Sequence, residues 1–288
     1  MSIPVSGTPR VGKNMRKLPW ISFFIIGCMV FAAVFAPYLT PYSPIEQTLP
    51  DKLLPPFWEA RGSTKYVLGT DIFGRDVLTR LIYGARVSLI VTGLALLFGG
   101  GVGLAIGIAS GYIGGRLDSF LMRLVDAAFT FPAILFALLL AVTMGQGLDT
   151  LVFAIGLLLW AGFARIIRGE VLALKQRDFI ALAKVHGCSE LRIMVTHILP
   201  NVLNTFMVLV TLNVGVVIVA EASLSFLGAG IPPPTPSWGL MVAEGRGKIT
   251  SAWWLSLLPG IAITMVVLTF NLFGDWLRDR LDPKLRQL

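Results

Sequence analysis

The chain has few charged residues and almost no cysteine. Of its 288 residues, 14% are charged and 55% are hydrophobic, whereas soluble domains have about 25% charged and about 45–50% apolar residues. This composition excludes an ordinary soluble domain and indicates a membrane protein. Cys28 and Cys188 are the only cysteines, which are too few for a disulfide framework.

Sequence motifs for catalysis are also missing. The chain has no G-x-x-x-x-G-K-S/T phosphate-binding loop, so we expect it not to hydrolyse ATP. No Ser/His/Asp set is suggested, and the spacing of His186 and His197 around Cys188 fits no standard zinc pattern. The sequence therefore predicts a chain that is not an enzyme and that binds no cofactor or metal of its own.

Long apolar runs dominate the sequence instead. A transmembrane helix needs about 20 mainly apolar residues. The runs that meet or approach this length are Leu18–Ala36, Val87–Ser110, Phe120–Met144, Leu151–Ile167, Val202–Leu227 and Trp254–Phe273. The first run is longer than the apolar core of a secretory signal, and Pro37 makes the site after it poor for cleavage. We predict an all-α membrane protein with six transmembrane helices, the first of them uncleaved.

The loops between these runs differ in their content of Lys and Arg. If the N-terminus lies inside, most basic residues fall on the inner side, and the positive-inside rule then places both termini in the cytoplasm. The net charge of +8 follows from this topology, so we expect no nucleic acid partner. The predicted parts are residues 1–85 (cytoplasmic tail, first helix and periplasmic loop), 86–275 (transmembrane core with a cytoplasmic loop at 168–200) and 276–288 (cytoplasmic tail).

Local patterns add detail to this plan. The end of the first outer loop carries apolar residues on one helical face, at Val77, Leu78, Leu81 and Ile82, which predicts a short helix along the membrane surface before the second span. Pro132 is expected to bend the third span.

The second span carries a glycine at every fourth position, at Gly99, Gly103, Gly107 and Gly111. These positions share one face of a helix, and the missing side chains allow another helix to approach closely. We therefore predict tight helix packing along this face. A hinge or the wall of a substrate cavity is the alternative.

A polar segment that begins at Asp178, DFIALAKVHGCSELRIMVTHILPN, separates the fourth and fifth runs. Asp178 can cap a helix start, and Phe179, Leu182 and Ala183 then share one face. Gly187 suits the C-terminus of that helix. The pattern predicts a first short amphipathic helix that ends at a glycine.

A second short helix follows. Ser189 can cap it, and Glu190 complements its positive end. The residues of its apolar face are Leu191, Met194, Val195 and Ile198. Pro200 is expected to close it before the fifth span begins. Helices shorter than about 12 residues are marginal alone in water, so both must dock on the membrane surface, under their own bundle, or on a partner protein.

The polar segment resembles the EAA loop of importer-type ABC transporter permeases, whose pattern is roughly E-A-A-x-x-x-G followed by I-x-L-P. The matching residues are Ala183, Gly187, Ile198, Leu199 and Pro200. Ala181 occupies the family's glutamate position, and Leu182 replaces the first alanine. The blocks LGTDIFGRDVLTRLIYGARVSL, EASLSFLGAGIPPPTPSWGLM and NLFGDWLRDRLDP resemble the second permease of dipeptide and oligopeptide importers, and nickel and glutathione importers share them.

The resemblance implies a type I ABC importer permease fold in a bacterial inner membrane, surrounded by lipid. It implies a second homologous permease, one or two cytoplasmic subunits that bind ATP and magnesium, and an external substrate-binding protein. It assigns the polar segment to contact with an ATPase subunit. The candidate residues for this coupling are Asp178, Phe179, Ala181, Leu182, Ala183, Gly187, Cys188, Ser189, Leu191, Met194 and His197.

Ionisable residues near the apolar runs are costly and often functional. Arg123 and Asp126 lie three residues apart and are expected to pair with each other. Glu221 lies deep in the fifth run, where it could line the pore or bond to the partner permease. Asn213 is a candidate for hydrogen bonding between helices. Glu221, Asp126 and Asn213 are the candidates for the translocation path or the permease interface.

Two other functions compete with the importer. An ion-gradient-driven transporter would have broken helices or carboxylates near the midplane and an inverted repeat, and Glu221 is the only deep carboxylate in the apolar runs. A membrane anchor for a signalling complex would leave the outer loops and the polar segment unexplained. We therefore favour a permease subunit of an ATP-driven importer, with di- or oligopeptides as the expected cargo.

Overall fold

The computed structural model describes residues 19–281 of the chain. Within that range every regular element is helical, apart from one isolated β-bridge between Thr70 and Asp76. Five helices are long and apolar enough to cross a membrane, and a bent pair makes a sixth if it counts as one span. The predicted tails at 1–18 and 282–288, and Leu18 at the start of the first predicted span, lie outside the described residues.

Most helices follow one another with short connections, and the longer ones are residues 40–76 after α1 and 227–237 after α9. Their bounds are α1 Trp20–Leu39, α2 Val77–Ala95, α3 Gly101–Ile113, α4 Gly115–Thr130, α5 Ala133–Met144, α6 Leu148–Lys175, α7 Asp178–Val185, α8 Glu190–Arg192, α9 Leu199–Phe226, α10 Trp238–Gly245 and α11 Trp254–Leu281. A π-helical segment joins α2 to α3, and another joins α8 to α9. Short 3-10 turns occur at Leu49–Asp51 and Arg246–Lys248.

The second span is one continuous helix, Val77–Ile113. The predicted short surface helix before it is therefore wrong, since its residues form the first turns of the span. Asp76 caps the start by accepting a hydrogen bond from the Thr79 backbone N–H at 2.8 Å. No proline follows within the span to break the helix.

The third predicted span is two helices. The axes of α4 and α5 differ by 87° across a break at Phe131 and Pro132. Phe131 has extended backbone (ψ 133°), which is the conformation favoured before proline, and Pro132 is the cap residue before α5. The predicted bend at Pro132 is confirmed, and it is a break rather than a kink.

The glycine stripe of the second span faces α6. A Cβ on Gly103 would lie 2.5 Å from both the Trp160 carbonyl oxygen and the Phe163 Cβ. A Cβ on Gly99, Gly107 or Gly111 would likewise lie 2.5–2.8 Å from atoms of α6. The four glycines therefore lie where the second span and α6 are in close contact. A glycine has no side chain to keep the two helices apart.

Candidate functional site

The polar segment at 178–198, here called the elbow, turns at Gly187. The Cys188 N–H donates to the Ala183 carbonyl at 3.1 Å, and the Gly187 N–H donates to the Lys184 carbonyl at 2.9 Å. This pair of hydrogen bonds is a Schellman motif, which requires a left-handed residue just after the helix. Gly187 supplies it with φ 74°. The sequence therefore fixes the angle at which the chain leaves α7.

Two predicted details of the elbow are wrong. Asp178 is not the cap of α7, because Arg177 holds the cap position and Asp178 is the first helical residue. Pro200 does not end the second helix, because Glu190–Phe226 is one continuous helix. The proline lies inside this continuous helix, directly after the π-helical segment. The predicted Ser189 cap is confirmed, since its Oγ accepts from the Arg192 N–H at 3.4 Å.

One face of the elbow packs on the rest of the chain. Ile180, Ala183, Ile193 and Ile198 are buried in a cluster with residues of α3, α6 and α9. The buried isoleucines of the second helix are five residues apart, a spacing that fits a π-helix and not an α-helix. The α-helical spacing grouped the buried Ile198 with Leu191 and Val195, which are exposed. The burial of Ile193, and of Ile180 in α7, was not predicted.

The opposite face of the elbow is apolar and exposed. Phe179, Leu182, Val185, Leu191 and Val195 form this surface, here called the apolar ridge, and Val185 and Leu191 are 83% and 67% exposed. Among the other predicted coupling residues, Ala183 is buried. Those that are exposed are Asp178, Ala181, Gly187 and Ser189, and those that are half-buried are Cys188, Met194 and His197.

Ion pairs join α4 to α6 near the elbow. Asp126 pairs with Arg165 rather than with Arg123, so the predicted Arg123 partner is wrong. A second pair was missed, in which Arg168 Nε and Nη2 donate to the two Asp118 carboxylate oxygens at 2.5 and 2.6 Å. Both partners come from helices far apart in the sequence, so local spacing could not indicate them.

Glu221 lies inside the helix bundle of this chain. Its side chain is fully buried and accepts hydrogen bonds from the Ser225 hydroxyl at 2.8 Å and the Ser88 hydroxyl at 3.2 Å. A buried carboxyl group needs such donors. In this structure Glu221 faces neither a pathway nor an outer surface, which contradicts both predicted positions and makes it a link between α9 and α2.

Asn213 lines a cavity of about 480 Å³ between the α4–α5 break, α6 and α9. Its Nδ2 donates to the Leu209 carbonyl of its own helix at 2.8 Å, instead of to another helix as predicted. The walls are apolar except for Asn213 and Ser223. The other wall residues are Phe129, Ala133, Ile134, Ile155, Leu158, Leu159, Gly162, Phe163, Ile166, Leu209, Val216, Val217, Val219 and Ala220.

Comparison with known families decides what kind of membrane protein carries this elbow. Residues 101–287 match the family described as the binding-protein-dependent transport system inner membrane component. The chain belongs to this family. Residues 15–56 match the N-terminal transmembrane domain of oligopeptide transport permease C. The chain is therefore a permease subunit of a binding-protein-dependent transport system and a multi-pass inner membrane protein.

Curated relatives match this permease over almost its whole length. The dipeptide transport system permease protein DppC of Bacillus subtilis is 41% identical, over 96% of this chain and 85% of the relative. DppC of Escherichia coli is 41% identical over 100% of this chain and 97% of the relative. The di/tripeptide transport system permease protein DppC of Pseudomonas aeruginosa is 40% identical over 95% and 89%.

A solved structure agrees with the fold of the permease. A chain of the MetNI methionine ABC transporter, solved in inward-facing conformations, has a TM-score of 0.56 to this chain. The match covers 72% of this chain and 96% of that chain, at 14% identity. This likeness shows the type I importer permease fold alone. Together with the family, it favours the ABC permease over the ion-driven transporter.

Proposed function

We propose that this permease imports di- or oligopeptides together with a second homologous permease. One or two cytoplasmic subunits bind ATP and magnesium and hydrolyse the ATP, and an extracytoplasmic binding protein delivers the cargo. Both termini and the elbow lie in the cytoplasm. The names of the relatives support the cargo, and the family description supports the dependence on a binding protein.

The apolar ridge of the elbow carries the proposed contact with the ATPase. Burial of a large apolar side chain stabilises an interface by about 1.5–3 kcal/mol. The opposite face of the elbow already packs on α3, α6 and α9, so the ridge is available to a partner while the elbow keeps its shape. The elbow can therefore pack on its own helix bundle and bind a partner at the same time, because the two contacts use different faces of the elbow.

The continuous helix from Glu190 to Phe226 gives the elbow a direct route into the membrane. At a rise of 1.5 Å per residue, its 37 residues extend about 55 Å. A displacement that the ATPase applies at Leu191 therefore moves the same helix that lines the cavity at Asn213. We propose that ATP-driven closure of the motor subunits acts on the bundle through this helix.

The cavity marks the proposed translocation path or the interface with the second permease. Asn213 remains a candidate at this site because it lies on the cavity wall. Asp126 remains a candidate because its carboxylate is exposed despite its pair with Arg165. Glu221 is withdrawn from this group, since its carboxylate is enclosed within α2 and α9.

Charge substitutions on the apolar ridge test the coupling. In the full complex, Leu182→Asp with Leu191→Asp should release the ATPase subunits during purification, because a buried unpaired charge costs several kcal/mol. Thr196→Asp is the control for Leu191→Asp alone, since it adds one carboxylate at an exposed position of the same helix outside the apolar ridge. Retention of the ATPase by the double variant would contradict the proposed contact.

A further inference from the structure

Three buried charged side chains, those of Asp71, Arg75 and Arg80, meet the half-buried Glu244 where the chain enters α2. Arg75 Nε donates to Asp71 Oδ2 at 2.6 Å, and Arg75 Nη2 donates to both Glu244 carboxylate oxygens at 3.1 Å. Arg80 Nη1 donates to Asp71 Oδ2 at 2.5 Å and to Glu244 Oε2 at 2.6 Å. We call these residues the charge cluster. Its two arginines balance its two carboxylates.

The charge cluster connects three parts of the chain. Asp71 and Arg75 belong to the long loop, residues 40–76 between α1 and α2, whereas Arg80 lies in α2 and Glu244 lies in α10. Glu244 is 169 residues from Arg75 in the sequence. The cluster is therefore a tertiary link between the long loop and a short helix near the end of the chain.

Tryptophans strengthen the same junction. Trp254 Nε1, at the start of α11, donates to the Thr70 carbonyl of the long loop at 3.1 Å. Trp238 Nε1, at the start of α10, donates to the Leu81 carbonyl of α2 at 2.9 Å. Gly84 of α2 lets the Trp238 ring approach, since a Cβ there would lie 2.6 Å from it. The long loop is thus tied to the start of α11, and α10 is tied to the first turns of α2.

Stability alone does not account for the charge cluster. Buried ion pairs are often no more stabilising than apolar residues of the same volume. Arg75 and Arg80 are almost completely enclosed, and Arg80 Nε and Nη2 have no hydrogen-bond partner among the described residues. Long loops with little regular structure inside compact domains are usually functional. Hydrogen-bonded ion pairs are directional, so they hold the long loop and α10 in one relative orientation. This role explains the charge cluster better than stabilisation by burial does.

We infer that the charge cluster is a positioning device for transport. It joins the long loop and α10 into one rigid cap, and transport requires that the two keep this orientation. The inference rests on the proposed function for its transport part, whereas the rigidity of the cap does not depend on it. Uncharged side chains that fill the same space would let the chain fold but would not hold the cap in this orientation.

A charge-balanced double variant separates these two roles. Arg75→Met with Glu244→Leu removes one charge of each sign and leaves the Asp71–Arg80 pair in place. Glu244→Leu alone leaves an excess of buried positive charge, so we expect it to lower the melting temperature and yield, and the double variant to recover both. The double variant nevertheless lacks the link between the long loop and α10.

The readouts are loop cleavage and transport by the full complex. Trypsin acting on the detergent-solubilised complex should cut at exposed Lys52 and Arg61 about tenfold faster in the double variant, because cleavage requires local opening of the loop. Uptake of labelled dialanine by the reconstituted complex should fall about tenfold. Glu46→Gln, which removes an exposed carboxylate of the same loop away from both cleavage sites, should change neither rate.

A folded double variant with wild-type cleavage and wild-type uptake would overturn the inference. If the double variant does not fold, Glu244→Asp decides, because it keeps the charge balance and withdraws the carboxylate by one methylene group. Faster cleavage with slower uptake in that variant supports the positioning role, and unchanged rates refute it. A wild-type complex without uptake would contradict the proposed cargo or motor, and the cleavage rates would still decide whether the cluster holds the cap.

Discussion

Gly187 determines the shape of the elbow through one backbone angle. Its φ of 74° lies in the left-handed region, where a residue with a Cβ is strained by about 1–2 kcal/mol. A Cβ at this position would meet no atom within 4 Å. The positive φ therefore favours glycine here, and crowding by neighbouring atoms does not. A substitution at Gly187 tests backbone strain without a change in packing.

Gly187→Val should impair transport, whereas Gly187→Asn should be tolerated. Valine is branched at Cβ and strongly disfavours a positive φ, whereas asparagine adopts it readily. A strain of about 1–2 kcal/mol changes the population of the native elbow by a factor of about 5–30. Uptake and ATP hydrolysis by the membrane-inserted complex measure the effect. Equal activity of the two variants would show that the turn conformation is not required.

Local signals in the sequence identified some residues of the site and missed others. Ser189 and Gly187 were predictable because a cap and a left-handed turn depend on residues within one helical turn. The environment of Glu221 was not, because its partner Ser88 lies 133 residues away. The same limit applies to Asp126 and Arg165, which come from different helices. Partners of buried charges are set by the packing of helices, which a single sequence does not reveal.

At the scale of elements, the predicted and observed structures differ at the π-helical segments. The sequence indicated where the elbow and the second span lie, because apolar runs and capping residues mark them. It did not indicate the π-helical turns at Leu96–Gly100 and Ile193–Ile198. In the elbow, the wider π turn buries Ile193 together with Ile198, whereas an α-helical wheel grouped Ile198 with the exposed Leu191 and Val195.

The contact between the second span and α6 should respond to a single added methyl group. Gly103→Ala would place a Cβ 2.5 Å from atoms of α6, and overpacking of this kind costs about 1–3 kcal/mol. Gly101→Ala is the matched control in the same span, because a Cβ there meets nothing within 4 Å. Thermal unfolding of the purified complex should show a lower melting temperature for Gly103→Ala only. Equal melting temperatures would contradict close packing along the glycine stripe.

At the scale of the whole molecule, hydrophobicity determined most of the fold. Because the lipid interior requires spanning segments to satisfy their own backbone hydrogen bonds, long apolar runs predict transmembrane helices reliably. Five spans were found this way, and the third run became the bent pair of α4 and α5. The short helix α10 was not predicted, because tertiary contacts such as Glu244 with Arg75 hold it in place.

The central claim is that an ATPase on partner chains drives transport through this permease. The most direct measurement purifies the tagged full-length chain in mild detergent, identifies the subunits that co-purify, and measures ATP hydrolysis with and without the binding protein. We expect a second permease, one or two ATP-binding subunits, and hydrolysis that the binding protein stimulates. A chain that purifies alone, hydrolyses no ATP and transports under an ion gradient would contradict it.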